Sequence, residues 1–302
     1  MTLLDRTIVR LLPAVPKPVV QLFSSRYIAG STLEDAVRVV QRLNGERKLA
    51  TIDVLGEEIT RESDARAIAQ AYCDVFVAIE REHLDSNVSV KLTALGLDLS
   101  YELCRENLES VLREAAKSGN FVRIDMEDSS TTSDTLRLYR ELRGRGFDNV
   151  GVVLQAYLRR SLDDVRSLAD LEPNVRLCKG IYIEPPAIAF RDDDAVRANY
   201  VRCLDALLDA GAYVGVATHD EWLIGRALER VASLSPSAYE FQMLLGVREQ
   251  RASELVDAGR RLRVYVPFGE HWYQYSLRRL QENPAMAGTI ARATMGRVLG
   301  RS

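Results

Sequence analysis

The sequence predicts a (β/α)8 barrel preceded by an N-terminal helical arm, and three observations predict it. Short β-branched or apolar runs alternate with longer amphipathic stretches, the alternation repeats eight times, and 302 residues is a length that such barrels reach as a single unit. The arm spans residues 1–45, where Pro13, Pro16 and Pro18 break the helical segments by removing a backbone donor and crowding the preceding turn. Residues 46–302 form the barrel. Its strands are read as Ala50 to Leu55, Val88 to Leu92, Phe121 to Met126, Val150 to Gln155, Val175 to Lys179, Tyr213 to Ala217, Tyr239 to Leu244 and Arg263 to Val266. Most are rich in Val, Ile, Leu or Tyr, as parallel strands buried on both faces require. Between them, stretches such as TRESDARAIAQAYCDVFVAIERE and ELCRENLESVLREAAKSG repeat apolar residues every three or four positions, which gives helices with one buried face. The rival architecture, an open doubly wound sheet, wants a glycine-rich turn after its first strand. Leu55-Gly56-Glu57-Glu58 stands there instead, and neither GxGxxG nor a P-loop occurs.

Composition narrows the function classes. With 47% apolar and 27% charged residues the chain can bury a sizeable core, so disordered and fibrous classes drop out. Its 40 basic and 43 acidic residues are mixed along the sequence for a net charge of -3, which leaves no electrostatic footprint for nucleic acid. Cys73, Cys104, Cys178 and Cys203 are scattered without a CxxC pair, so reduced thiols, a cytoplasmic location and no metal site are expected. Asp5, Arg6 and Arg10 interrupt the apolar run that an export signal needs, and no stretch approaches the roughly 20 apolar residues of a membrane-spanning helix.

A barrel places its chemistry at the C-terminal ends of its strands, and here those ends are polar. The first delivers Glu57, the second Lys91, the third Asp125 with Glu127 and Asp128, and the fourth Gln155. Arg176 and Lys179 lie on the fifth, Thr218-His219-Asp220 end the sixth, and Gln242 is in the seventh. So many ionisable groups in one place must pair with each other and with a charged ligand. Lys91 stands out because it interrupts VSVKLTALG within an apolar run, where desolvation is costly unless a carboxylate is near. Asp125 occupies a comparable place in FVRIDMED, whereas a lone histidine such as His219 is as often a satisfied hydrogen-bonding residue. After the eighth strand, Tyr275 precedes Arg278 and Arg279 by three and four residues, on one helical surface that suits a carboxylate with a small apolar body. A solvated basic patch is the alternative there.

Taken in order, SVKLTALG, RIDMED, VVLQAY, RLCKGIY, ATHD, FQMLLGV, YVPFG and YSLRR resemble the proline dehydrogenase family in its short monofunctional bacterial form, over about residues 46 to 283. The resemblance implies a distorted barrel that binds FAD and oxidises L-proline to Δ1-pyrroline-5-carboxylate. By that likeness Lys91, Arg278 and Arg279 grip the proline carboxylate, Glu57 pairs with the arginine clamp, and Asp125 lines the site near the lysine. Arg176 lies beside flavin N5. Met126, Gln155, Lys179, Gly180, Ile181, Thr218 and His219 match positions that contact FAD, while Tyr182, Leu244, Tyr265 and Tyr275 match the walls around the proline ring. Reoxidation by a membrane quinone is implied too, which brings the chain to the inner face of the membrane, although no basic amphipathic helix stands out as an anchor.

Two departures from the family pattern bear on substrate choice. Ile181 replaces the alanine of KGAY, which adds bulk beside the pocket, and Phe268 replaces a tyrosine common in YVPYG. Tyr265 is retained, and in this family a smaller residue there accompanies hydroxyproline use. Two other classes stay open: an aldolase or lyase with Lys91 or Lys179 as a Schiff-base lysine, and a noncatalytic barrel that senses proline or flavin.

Overall fold

A computed structural model describes residues 26–56, 59–273 and 276. The elements run α1 (Leu33–Gly45), β1 (Leu49–Val54), α2 (Glu62–Arg81), β2 (Ser86–Val90), α3 (Tyr101–Lys117), β3 (Val122–Ile124), α4 (Thr132–Gly144), β4 (Val150–Gln155), α5 (Ser161–Leu168), β5 (Asn174–Cys178), α6 (Asp193–Asp209), β6 (Tyr213–Ala217), α7 (Glu221–Arg230), β7 (Tyr239–Leu244), α8 (Glu249–Asp257) and β8 (Leu262–Phe268), with a 3-10 turn at Ala169–Leu171. Every strand pairs in parallel with its neighbour, and β8 closes on β1 with Thr51 opposite Tyr265, so the sheet is a barrel with no free edge. The predicted barrel stands.

Alternation along the strands sorts the residues into two populations. Ile52, Val88, Val90, Ile124, Val152 and Val216 point outward into the helix layer and are fully buried, each contributing about 1.5–3 kcal/mol of transfer free energy. The in-phase positions Asp53, Ser89, Asp125, Arg176, Gln242 and Tyr265 face the axis, as their bonds across the barrel show. The apolar core therefore surrounds the barrel, and the barrel holds a polar one.

Helix α1 packs its apolar face of Ala36, Val37, Val40 and Leu43 into that same outer core, against β1 and β8. Thr32 and Asp35 cap it reciprocally: the Thr32 hydroxyl accepts from the Asp35 amide at 3.2 Å, and Asp35 accepts from the Thr32 amide at 3.0 Å. Thr32→Ala removes half of this box and is expected to lower stability by about 1 kcal/mol in urea denaturation, with activity unchanged.

The ends of β1, β2, β3, β5 and β8 differ from the sequence reading by one or two residues, and two of these differences bear on the site. β2 stops at Val90 and β3 at Ile124, so Lys91 and Asp125 follow their strands directly. At the first the backbone turns at once: the Lys91 carbonyl accepts from the Leu95 amide at 3.2 Å. Both side chains consequently sit at the barrel mouth.

Candidate active site

Asp53, on the inward face of β1, is wholly buried and is the hub of the mouth. One of its oxygens, Oδ2, accepts from Lys91 Nζ at 2.6 Å and from the Tyr265 hydroxyl at 2.7 Å; the other accepts from the Tyr72 hydroxyl at 3.0 Å. Burial pushes the Asp53 carboxyl above its ordinary value, Lys91 pulls it back, and Asp125 pushes it up again. Burial, and next the charge of Asp53, push the Tyr72 phenol well above its usual range, so it stays a donor. The sequence reading missed Asp53. Its signal was the one that revealed Lys91, a charge at an in-phase position of an apolar run, here LATIDV.

The Tyr265 hydroxyl also lies 3.0 Å from Asp125 Oδ2, and the other oxygen of Asp125 accepts from Arg176 Nη1 at 2.6 Å. Arg176 donates from Nη2 to Ser89 Oγ at 3.0 Å and from Nε to Gln242 Oε1 at 2.5 Å, and its guanidinium stands 5.5 Å from the Tyr265 ring centre. Five strands thus deliver one connected set: Lys91 to Asp53, Tyr265 to both carboxylates, and Asp125 to Arg176. Two cations balance two anions. With the side chains of Lys91 and Arg176 each about 9% exposed, the set can meet an incoming anion without first ordering flexible cations.

The remaining predicted residues ring this set. Gln155 is buried below the β3–α4 loop, where its amide nitrogen donates to the carbonyls of Met126 and Glu127 at 3.1 and 2.7 Å. Its carbonyl oxygen is buried with no partner among the described residues, as is the Tyr157 hydroxyl. Gly180 has φ +105°, and a Cβ there would come 2.0 Å from the Tyr157 ring, so the loop after β5 lies flat on that ring only because residue 180 lacks a side chain. Ile181 is half exposed at the rim, and Tyr182 is partly buried beside it. The Thr218 hydroxyl accepts from the Asp220 amide at 3.1 Å, and His219 Nε2 accepts from the Leu244 amide at 3.0 Å, tying the end of β6 to that of β7.

Lys179 reaches Asp220 Oδ2 at 3.3 Å, and Arg197 reaches the same oxygen at 2.9 Å. Although burial pushes the Asp220 carboxyl up, the bonds from Arg197 and Lys179 outweigh it and hold the group below its ordinary value. Sequence reasoning also missed Glu184, which accepts from the Ser129 amide and hydroxyl, both at 2.7 Å, and so clasps the loop after β5 to the loop after β3. No periodicity marks such a loop residue.

Glu57, Tyr275, Arg278 and Arg279 lie outside the described residues, as does most of the arm. Among the described residues no group of His, Cys, Asp and Glu is arranged to hold a metal ion, and no helix is long and apolar enough to cross a membrane.

Comparison with known proteins agrees with this fold. The family model described as proline dehydrogenase matches residues 36–292. Proline dehydrogenase 1 of Bacillus subtilis (strain 168) is 41% identical over 277 residues, covering 91% of each chain. The proline dehydrogenase of Deinococcus radiodurans is 37% identical over 281 residues, covering 90% of each. Among solved structures, proline utilization A (PutA) from Bdellovibrio bacteriovorus, inactivated by N-propargylglycine, superposes with a TM-score of 0.80 at 28% identity; the match takes in 86% of this chain and 32% of that one. With the motifs, the barrel and these relatives in agreement, the chain belongs to the proline dehydrogenase family.

Proposed function

We propose that this protein oxidises L-proline to Δ1-pyrroline-5-carboxylate with FAD as its cofactor and a quinone as the final acceptor. The observation that carries the reading is the connected set Lys91–Asp53–Tyr265–Asp125–Arg176 at the barrel mouth, in which one carboxylate-backed cation, Lys91, is available to a small anion and a second, Arg176, is held beside it. The residues around it suit a flavin. The buried Gln155 carbonyl oxygen asks for a donor such as the imide N–H of an isoalloxazine, and the loop through Gly180 gives a flat surface for a ring. Met126, Lys179, Ile181, Thr218 and His219 would complete that site. Bound there, a flavin would supply a two-electron acceptor for hydride from proline C5 to N5, with a quinone as the onward acceptor.

The chain's own residues do the rest. Lys91, with Arg278 and Arg279, clamps the proline carboxylate, the one strongly charged handle that fixes where the ring lies. Asp53 and Glu57 balance those cations when substrate is absent. Tyr182, Leu244, Tyr265 and Tyr275 wall the pyrrolidine and keep water off its C5. Asp125 holds Arg176, whose charge would stabilise the negative charge of a reduced flavin bound beside it. A quinone acceptor implies work at the inner face of the membrane from the cytoplasmic side.

A Schiff-base lysine has less support. Lys91 and Lys179 both sit against carboxylates, the reverse of the apolar or cationic surroundings that activate an amine. The test is steady turnover: flavin-loaded protein should reduce both a dye acceptor and a quinone analogue only when L-proline is present. A loaded protein that turns over neither fits a sensor and refutes the proposal.

A further inference from the structure

The geometry points to Glu240, in the lower half of the barrel on β7, as a positioning residue that sets the orientation of the Arg176 guanidinium through Gln242. The inference rests on the reading of Arg176 given above.

Hydrogen-bond polarity carries the argument. Gln242 is an amide with one accepting end and one donating end, and turning it over exchanges them. Its nitrogen donates to Glu240 Oε1 at 2.6 Å, so its oxygen is the end left to accept from Arg176 Nε at 2.5 Å. A carboxylate can only accept, and Glu240 therefore forbids the flipped amide. If the amide turned over, its nitrogen would face the Arg176 N–H, donor against donor.

Glu240 is itself fixed. Arg263 holds it with two bonds, Nε to Oε1 at 2.7 Å and Nη2 to Oε2 at 3.1 Å, and anchors its own Nη1 on the Ala50 carbonyl at 2.6 Å. Burial would raise the Glu240 carboxyl, but Arg263, Gln242 and Tyr213 together hold it below its ordinary value, so it remains an acceptor at neutral pH. Gly215 on β6 supplies the clearance, since a Cβ there would come 2.5 Å from the Gln242 amide nitrogen.

The chain Arg263–Glu240–Gln242–Arg176 thus runs from the lower barrel to the mouth. Only its last member meets the chemistry. With Nε held by Gln242, Nη1 by Asp125 and Nη2 by Ser89, the guanidinium cannot roll, and one N–H on each terminal nitrogen stays aimed away from these partners.

The test removes the acceptor that fixes the amide. In flavin-loaded protein, Glu240→Met, which leaves the Gln242 nitrogen without its acceptor, should lower kcat by on the order of tenfold to a hundredfold while the KM for proline stays near wild type, because only the geometry at the reacting centre is disturbed. The midpoint potential of the bound flavin, measured without proline, should fall as the Arg176 charge is misplaced. Glu240→Gln is the conservative control: its amide oxygen can still accept from both the Gln242 nitrogen and Arg263 Nε, with its nitrogen turned to the longer contact at Arg263 Nη2, so it should keep most of kcat and the potential.

Gly215→Ala, which displaces the amide without removing any hydrogen-bonding group, should show the same kcat loss and serves if Glu240→Met does not fold. Wild-type kcat and potential in Glu240→Met, or a Glu240→Gln variant no better than Glu240→Met, overturns the relay. Arg176→Ala separates the two levels: if it changes neither quantity, the reading of Arg176 is wrong, and if it lowers both while Glu240→Met changes neither, only the relay is.

Discussion

Lys91→Met is expected to remove measurable binding of proline and to destabilise the fold by roughly 3–5 kcal/mol, the usual result of taking one partner from a buried ion pair. Methionine keeps the length and apolar stem of the lysine but leaves Asp53 Oδ2 without its 2.6 Å cation in a fully buried position. The two effects have different origins, and a second substitution separates them. Asp53→Asn combined with Lys91→Met removes both charges, so urea denaturation should show most of the stability regained. Proline titration should still show no binding, since the cation proposed to meet the carboxylate is gone. A single Lys91→Met variant that binds proline as wild type does would remove the lysine from the site.

Gly180→Val should be nearly as damaging, by a steric route. Residue 180 combines φ +105°, which a β-branched residue resists, with a position where any Cβ would come 2.0 Å from the Tyr157 ring. That ring cannot retreat easily, because Tyr157 packs with Leu158, Ala189 and Val196 in a small buried cluster of its own. Backbone strain and overpacking together cost about 3 kcal/mol or more. The damage falls on the loop that carries Lys179 to Tyr182, so, on the function proposed above, the purified variant should lose the flavin it binds before it loses its helical circular dichroism. A variant that retains flavin as wild type does would contradict the place given to this loop.

The barrel was legible because its physics is local. Buried parallel strands need β-branched runs, their helices need a repeat of three and four, and eight such units at this length leave few architectures. The site was legible only where a single residue broke a local rule. Lys91 and Asp125 do so, as charges next to apolar runs, and Asp53 does so equally. The reading of β1 fixed on Glu57 beyond the end of the strand and passed over the carboxylate within it.

What could not be read is pairing. Asp53 meets Lys91 across 38 residues and Tyr265 across 212, and these contacts exist only once β8 has closed on β1. Gln242 was visible as a polar residue in a strand, yet the direction of its amide follows from Glu240 and Arg176 together. Residue 45, taken as the end of the arm, is also the end of a helix whose apolar face lies in the barrel's outer core.

The most direct test is an absorption spectrum of the purified protein, recorded without oxygen before and after addition of L-proline. A flavin spectrum that bleaches on addition, and recovers when a quinone analogue follows, is the predicted result. A colourless protein that takes up no FAD, or a bound flavin whose spectrum proline leaves unchanged, would contradict it.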